Sequence, residues 1–363
     1  MSDVGKLVLK MVWDGRSVVS TEIRSTRPMA AQMLNGKTPT QVMQIVPLLF
    51  GVCGRAQGAA AVAALQVARC EKDKTAATME RAIVLESIRE HLWHMMLSWP
   101  KMLGLETQEK MFAGWHPLLS KHATGEIGEF DAPVFLREFE LNYLGMPVAE
   151  WRLLDNYSTM QHWWCRAQSP LARLLAKLDG MKFGDQGMAG IGLLPSWSAA
   201  EAQQACGGRW GAEFSSRPDC LGEAVETGAL SYFTSDKLLN DVWHQSRFRL
   251  MIRLLARVLD VIDMASGNAP ARLDATSPAE GAGIAVVRTA RGLLMHHVQL
   301  AAEKVANYVI VAPTEWNFHP DGSFAKEMRG LREHDAVRLQ QTARIAALSL
   351  DPCVAFEIEV SHA

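Results

Sequence analysis

The chain has 363 residues, of which 48% are hydrophobic and 21% are charged, a composition that excludes disordered, collagen-like and coiled-coil architectures. A chain of this length can bury a sufficient core without disulfides or structural metals. Its 37 basic and 39 acidic side chains give a formal net charge of −2, which excludes the strongly basic surface that nucleic acid or an anionic membrane requires.

The N-terminal residues predict β-structure. Two extended runs, LVLKMVW and RSVVSTEI, flank Asp14-Gly15, a dipeptide typical of tight hairpins. The opening residues lack the basic and apolar segments of a secretory signal, and no apolar run reaches the roughly 18 residues of a membrane span. We therefore expect a cytoplasmic protein that does not insert into membranes.

The next segments predict helices. A helix made largely of alanine follows Cys53, and the run Thr75–Trp99 has apolar residues at three and four spacing and is expected to end before Pro100. The run Ser235–Ser266 has the clearest helical period of the chain. Together these segments predict a central helical bundle.

The period changes to that of strands near residue 282. The segment from there to Asn317 alternates, with Gly292 and AEKVAN as turns, and the last residues alternate again after a helix that ends at Asp351-Pro352. No repeat or linker divides the chain. We therefore predict an α+β fold in a single domain, residues 1–363, in which N- and C-terminal β-containing segments pack around the helical bundle and the middle region, about 115–210, is reduced.

Several common chemistries are excluded by missing motifs. The chain has no phosphate-binding loop, no nucleophile elbow and no H-E-x-x-H zinc motif. His91 and His94 share a helix face and could hold a metal, but packing in the core is the favoured interpretation, as it is for His296-His297. Cys53 and Cys353 stand apart from the other four cysteines, because one precedes a helix and the other follows Asp-Pro near the end of the chain.

The surroundings of these two cysteines resemble the large subunit of nickel-iron hydrogenases. That family has one cysteine pair in R-I-C-G-V-C-x-x-x-H and a second in D-P-C-x-x-C-x-x-H. Here LLFGVCGRAQ keeps Cys53, with Phe50 and Gln57 at the positions of the first cysteine and the histidine. DPCVAFEIE keeps Cys353, with Phe356 at the position of the second cysteine. Each pair therefore retains one thiol.

Further landmarks extend the resemblance over most of the chain. RTARG is similar to the family's E-A-P-R-G, whose arginine binds a cyanide on the active-site iron, and Arg291 is the matching residue. VAPTEWN is similar to V-P-[ST]-T-W-N, which implies that Thr314, preceded by Pro313, contacts a second cyanide. ETGAL, Glu226–Leu230, is similar to an E-x-G-x-L landmark of the family.

The departures from the family imply a different activity. Nickel in that family has four thiolate ligands, whereas only Cys53 and Cys353 remain at those positions. Arg27 is retained from the family's R-x-x-E, but Ala30 replaces the glutamate that relays protons. We therefore expect no nickel and no hydrogen turnover, which means that the chain is not an enzyme.

The resemblance implies that the remaining residues hold iron carrying one carbon monoxide and two cyanides. With two thiolates this fragment is a dianion, which is costly to bury without compensating charge. Arg291 supplies a cation and Thr314 a neutral donor, while Arg288, which replaces a family glutamate, would add a second cation. Cys53 is the safer iron ligand, because Cys353 matches a cysteine that binds nickel alone.

The chain most resembles the HupK/HoxV-type accessory proteins of hydrogenase maturation. This implies a scaffold that transiently holds the iron fragment and passes it to the hydrogenase large-subunit precursor, with a small HypC-like chaperone and the iron-fragment assembly protein as further partners. Two alternatives stay open: a metal-free protein that acts by contacts during assembly, and a quinone-site subunit of a respiratory complex.

Overall fold

The described strands all belong to one of two units. The structure, a computed structural model, describes residues 5–27, 30–71, 75–181, 191–246 and 249–363. Unit 1 comprises the described residues of Met1–Ile83, Gly184–Ser231 and Ala271–Ala363, and unit 2 those of Val84–Phe183 and Tyr232–Pro270. The predicted α+β class is confirmed. The single domain over residues 1–363 and its reduced middle region stay predictions.

A three-stranded sheet joins the two ends of the chain. Strands β1 (Leu7–Trp13) and β2 (Val18–Ser25) form the predicted hairpin. The C-terminal strand β7 (Phe356–His362) lies parallel to β1 on its other side, with Leu7 beside Phe356. Burial alternates along β1, because successive side chains of a strand point to opposite faces.

A four-stranded antiparallel sheet forms the second β-layer of unit 1. Its strands follow one another in space as they do in the chain: β3 (Leu273–Thr276), β4 (Ala282–Thr289), β5 (Gly292–Ala301) and β6 (Lys304–Val311). Two predicted details are wrong. The turn after β5 comprises only Ala302 and Glu303, both with positive φ, and Pro313–Asn317 is a helix, because Pro313 fits the first helical position.

The alanine-rich helix, Gly54–Ala68, lies directly on the second sheet. Cys53 is its N-cap residue. A Cβ atom on Gly283 of β4 would lie 1.9 Å from the carbonyl oxygen of Ala64. Small residues on both elements therefore permit an approach that larger side chains would prevent, and this approach holds the C-terminal half of the helix that follows Cys53 against the sheet.

The other helices of unit 1 are short, apart from the last. That last helix begins where the side chain of Asp335 accepts hydrogen bonds from two backbone amides, and it ends at Asp351, in the left-handed conformation with φ 52°. The remaining helical segments of unit 1 are Ala30–Leu34, Pro39–Leu49, Ala199–Cys206, Ala212–Ser216 and Ser323–Met328, and the last helix spans Ala336–Leu350.

Unit 2 is built from helices in its described residues. Two helices, Ala76–Trp93 and Ala229–Tyr232, include residues of both units. The segments that lie wholly in unit 2 are His94–Ser98, Trp99–Met102, Glu109–Thr124, Ala132–Phe139, Glu140–Leu144, Val148–Trp151, Tyr157–Trp164, Pro170–Gly180, Lys237–Ser246 and Arg249–Ala265. None of the described helices is long and apolar enough to cross a membrane.

The prediction that the helix Thr75–Trp99 ends before Pro100 is wrong. A π-helical turn, His94–Ser98, lets the helical path continue through Pro100 to Met102. Proline has no N–H and cannot pair with the carbonyl of Met96, four residues earlier. The backbone N–H of Gln108 donates to that carbonyl instead, at 2.9 Å.

The predicted helix Ser235–Ser266 corresponds to two described helices, Lys237–Ser246 and Arg249–Ala265. Residues 247–248 between them lie outside the described residues. The second helix is buried on nearly every side, and its Asp260 forms a 2.8 Å hydrogen bond with His91, which is fully buried. His91 is therefore accounted for as a core residue.

Candidate functional site

Four of the landmark segments meet in unit 1 through side-chain hydrogen bonds. The Oδ1 atom of Asn317 accepts from the backbone N–H of Thr227 at 2.9 Å, and its Nδ2 atom donates to the carbonyl of Leu350 at 3.3 Å. The hydroxyl of Thr227 accepts from the backbone N–H of Leu293 at 2.9 Å. Segments that are far apart in sequence thus converge beside Asp351-Pro352-Cys353.

Thr314 lies against Cys353. Its Oγ1 atom is 3.1 Å from the Sγ atom of Cys353. The same oxygen accepts a hydrogen bond from the backbone N–H of Cys353, also at 3.1 Å. Thr314 is 1% exposed, and Pro313 before it is buried at the first position of the short helix. The threonine predicted from the motif is therefore in direct contact with one of the two predicted thiols.

Arg291 is tied to the same terminal segment. Its Nε atom lies 3.2 Å from Oδ1 of Asp351, and the two side chains are 7% and 1% exposed. Asp351 is two residues before Cys353, so this buried ion pair fixes the arginine close to the thiol-bearing turn. Such a pair keeps its geometry, because separating the charges would leave each of them desolvated without a partner.

Arg288 stands three residues earlier, near the end of β4 and opposite Leu293. Alternation along the strand places it on the face of Ile284 and Val286, which pack in the cluster around Trp316. Its backbone pairs with Arg272. A direct role of Arg288 at the site stays a prediction.

Cys53 is reached by a chain of three hydrogen-bonded side chains. The Nε2 atom of Gln57 donates to Cys53 Sγ at 3.8 Å, Gln57 Oε1 lies 2.8 Å from Nε2 of His296, and His296 Nδ1 lies 2.9 Å from the hydroxyl of Tyr308. Burial lowers the pKa of His296 to about 3, so its ring is neutral. One consistent direction follows: Tyr308 donates to His296, His296 to Gln57, and Gln57 to the sulfur.

Arg27 lies within electrostatic reach of both thiols. Its Nη1 atom donates to Oε1 of Glu315 at 3.0 Å. Burial alone would lower the pKa of Arg27, but electrostatic interactions with Cys353, Glu315 and Cys53 and the hydrogen bond to Glu315 raise it above its usual value. Burial raises the pKa of Glu315, although the neighbouring arginine acts in the opposite direction. Arg27 thus links the two halves of the candidate site.

Comparison with known proteins finds similarity to hydrogenases and to hydrogenase formation proteins. The family model for nickel-dependent hydrogenase matches residues 237–358. The hydrogenase expression/formation protein HupK of Azotobacter vinelandii is 28% identical over 95% of both chains, and HoxV of Cupriavidus necator is 27% identical over 94% of this chain and 93% of its own. The large chain of the Ni-Fe-Se hydrogenase from D. vulgaris Hildenborough superposes with a TM-score of 0.62 at 16% identity, covering 94% of both chains. This chain is a HupK/HoxV-type relative of the nickel-iron hydrogenase large subunits.

Phenylalanines occupy the two lost cysteine positions of this HupK/HoxV-type chain. Phe50 follows the helix Pro39–Leu49, and Phe356 begins β7. Among the described residues, there is no group of three or more His, Cys, Asp or Glu side chains that could hold a metal ion. The donor set present does not fit a four-thiolate nickel site. A metal bound here would need to bring other ligands with it.

Sequence reasoning does not identify some residues of this HupK/HoxV-type site. Gln57 registers only as a lost histidine, His296 as a core residue, and Tyr308 and Glu315 carry no signal until their neighbours are known. The available clue to Glu315 is an acid directly after Thr314, in a chain that keeps Arg27 but has Ala30 where the family has its glutamate.

Trp163-Trp164-Cys165 belongs to unit 2, where Trp164 is buried and Trp163 packs edge-on against Trp151.

Proposed function

We propose that this protein acts in the maturation of a nickel-iron hydrogenase, as a scaffold that transiently holds iron carrying one carbon monoxide and two cyanides. It would pass this fragment to the hydrogenase large-subunit precursor, in cooperation with a small HypC-like chaperone and the iron-fragment assembly protein. The names of the relatives, hydrogenase expression/formation proteins, support a maturation role. The fragment is cargo and not a resident cofactor.

The observation that carries the proposal is the placement of two arginines beside the thiol motifs: Arg27 pairs with Glu315, which directly follows Thr314, and Arg291 pairs with Asp351, two residues before Cys353. Ferrous iron with two cyanides and two thiolates carries two negative charges, and burying it requires nearby cations. Arg27 and Arg291 are two such cations, and each is held in place by a carboxylate, that of Glu315 and that of Asp351.

Hydrogen-bond donors at both thiols also suit this cargo. Gln57 donates to Cys53, and Thr314 has a hydroxyl hydrogen available for Cys353, since its oxygen already accepts from a backbone N–H. Low-spin iron favours soft thiolate ligands. The fragment brings three diatomic ligands of its own, so two thiolates suffice where nickel would need four. A weakly anchored fragment can then be released to a partner.

Infrared spectroscopy tests the proposal. Protein produced together with the assembly machinery and purified without oxygen is expected to display the stretching bands of iron-bound carbon monoxide and cyanide. The Cys53→Ser variant should lose these bands, and Cys353→Ser should lose or shift them. The Cys70→Ser variant is the matched control, because Cys70 is an exposed cysteine of the same unit.

Two outcomes would contradict the proposal. One is the absence of both kinds of band from the unmodified protein under these conditions. The other is a Cys53→Ser spectrum identical to that of Cys70→Ser. If a protein without bands still supports hydrogenase maturation in cells, a metal-free role by protein contact is the correct account, whereas bands that persist in Cys53→Ser would mean that the fragment is held without Cys53.

A further inference from the structure

A cavity of about 580 Å³ lies in unit 1 beside the candidate site. Three of its lining residues, Phe50, Arg27 and Glu315, belong to that site: Phe50 is three residues before Cys53, and Arg27 pairs with Glu315, which follows Thr314. Arg24 and Arg217 line the same cavity and are exposed to solvent. The cavity therefore connects solvent-exposed arginines with the arginine nearest the thiols.

We propose that this cavity, here called the loading cavity, is the binding site through which an anionic metal cyanide complex reaches Cys53 and Cys353. The identity of the natural guest rests on the function proposed above. The existence of a cyanide-complex site at these arginines does not, because it can be measured with a purified protein that carries no iron.

The charges of the lining favour an anion. The lining contains three arginines, Arg24, Arg27 and Arg217, and one carboxylate, that of Glu315. The guanidinium of Arg217 has no hydrogen-bond or ion-pair partner among the described residues. Arg24 pairs only with Glu22, and both are exposed, so this pair contributes little and is readily exchanged for a ligand.

The cationic donors of the loading cavity are those of the arginines, and the hydroxyl of Ser25 lines it as well. The hydroxyls of Ser215 and Ser216 donate to carbonyls of their own helical turn, at 3.1 and 3.0 Å. At Arg27, only Nη1 has a side-chain partner among the residues described, which leaves its remaining N–H groups available to a ligand. Guanidinium groups present several donors in fixed directions and are weakly hydrated, which suits cyanide nitrogens projecting from one metal.

The remaining wall is apolar. It is formed by Leu7, Ile23, Phe50, Ile310, Ala312 and Phe318. A small, strongly hydrated oxyanion such as phosphate gains nothing from this wall and loses its water beside it. A cyanide complex spreads its charge over a larger body than an oxyanion does, and a carbonyl ligand on it presents uncharged surface to the apolar side. The combination therefore selects a metal cyanide complex over a simple oxyanion.

Calorimetric titration of the purified full-length protein with hexacyanoferrate(II) tests this site. We expect saturable binding that weakens as sodium chloride is raised from about 0.05 M to about 0.5 M, because exposed charges are screened. Arg217→Ala and Arg24→Ala should each weaken binding by about threefold or more. Arg16→Ala is the matched control, since Arg16 is an exposed arginine of unit 1 that does not line the cavity.

A change of opposite sign separates charge from folding. Glu315→Gln removes the single carboxylate of the lining and should tighten hexacyanoferrate(II) binding by about threefold. A merely destabilised protein would bind less and not more. Inorganic phosphate, titrated under the same conditions, should bind at least about tenfold more weakly than hexacyanoferrate(II), a difference of about 1.4 kcal/mol.

The proposal is overturned if Arg217→Ala and Arg24→Ala bind like Arg16→Ala, or if phosphate binds as tightly as the cyanide complex. Its failure differs from failure of the proposed function. If the Arg24→Ala and Arg217→Ala variants still acquire the iron fragment and display the infrared bands, the scaffold role is retained without this route. Hexacyanoferrate(II) binding in a protein that never displays the bands would retain the cavity as a site without the scaffold role.

Discussion

The hydroxyl oxygen of Thr314 lies 3.1 Å from the sulfur of Cys353 and 3.1 Å from the backbone nitrogen of that residue. The backbone N–H can only donate, so the threonine oxygen accepts there and its own hydrogen is available to the sulfur. One buried side chain therefore fixes both the backbone and the thiol of Cys353. This contact joins two motifs that lie 39 residues apart in the chain.

Replacing Thr314 with valine removes the hydroxyl and keeps the shape. The partly buried N–H of Cys353 then loses its acceptor, and we expect the free energy of unfolding to fall by about 1–2 kcal/mol. Thr314→Ser is the control: it keeps the hydroxyl, loses one methyl group and should cost about 1 kcal/mol. Urea denaturation measures both variants. A valine variant at least as stable as the serine variant would mean that the hydrogen bonds contribute nothing.

Gln57 offers a second test, since it connects Cys53 with His296. Gln57→Leu keeps the size but leaves the His296 N–H without an acceptor in a buried site, which should cost about 1–3 kcal/mol. Tyr308→Phe removes only the hydroxyl at the far end of the chain of hydrogen bonds. Urea unfolding of both single variants and the double variant measures the coupling between the two ends.

We expect a coupling energy between Gln57 and Tyr308 of at least about 0.5 kcal/mol, because residues in one hydrogen-bond network usually couple by this much or more. A double-mutant cycle between Gln57 and the exposed Arg16 supplies the comparison and should be additive. Additive effects for Gln57 and Tyr308 as well would show that the three side chains do not act as a connected chain.

Much of the site is predictable from local sequence, because its residues occur in short motifs. Thr314 and Arg291 lie at the positions expected from VAPTEWN and RTARG, and Cys353 follows Asp351-Pro352 at a helix end. Strands with period two, such as β1 and β7, are predictable for the same reason. The parallel pairing of β1 with β7, which joins the two chain ends, is not predictable. No local sequence signal indicates which strand lies beside which.

The missed residues share a physical cause. Gln57, His296 and Tyr308 form one chain of hydrogen bonds although they lie in three separate segments, and only tertiary contact gives them a common role. Pro100 is a local failure of a different kind. It ends most helices, but a π-helical turn and an outside donor satisfy the carbonyl that it cannot pair with.

Acid should destabilise the protein through two histidines. Burial lowers the pKa of His296 to about 3 and that of His297 to about 4, whereas the unfolded chain protonates its histidines near pH 6.5. Between these values the unfolded state binds more protons, so stability falls as pH decreases from about 6.5 toward 4. Each histidine contributes up to about 1.4 kcal/mol per pH unit.

Urea unfolding at several pH values between about 7 and 5 measures this dependence. His297→Phe keeps an aromatic ring stacked on Trp210 and removes one titrating group, so its slope should be smaller by up to about 1.4 kcal/mol per pH unit. The raised pKa of Glu315 acts with the opposite sign, but it is common to all these proteins and cancels. Equal slopes for the unmodified protein and His297→Phe would contradict the prediction.

The close approach of the Cys53 helix to the second sheet gives a last test. In Gly283→Ala the new Cβ would lie 1.9 Å from the carbonyl oxygen of Ala64, and both atoms belong to rigid backbone. We expect a loss of at least about 2 kcal/mol of unfolding free energy, measured by thermal or urea unfolding, because the helix must move off the sheet. Gly114→Ala is the counterpart: Gly114 lies within the helix Glu109–Thr124, and a Cβ added there would meet nothing within 4 Å, so this change should stabilise by about 0.5–1 kcal/mol. If Gly283→Ala is tolerated as well as Gly114→Ala, this contact does not hold the helix against the sheet.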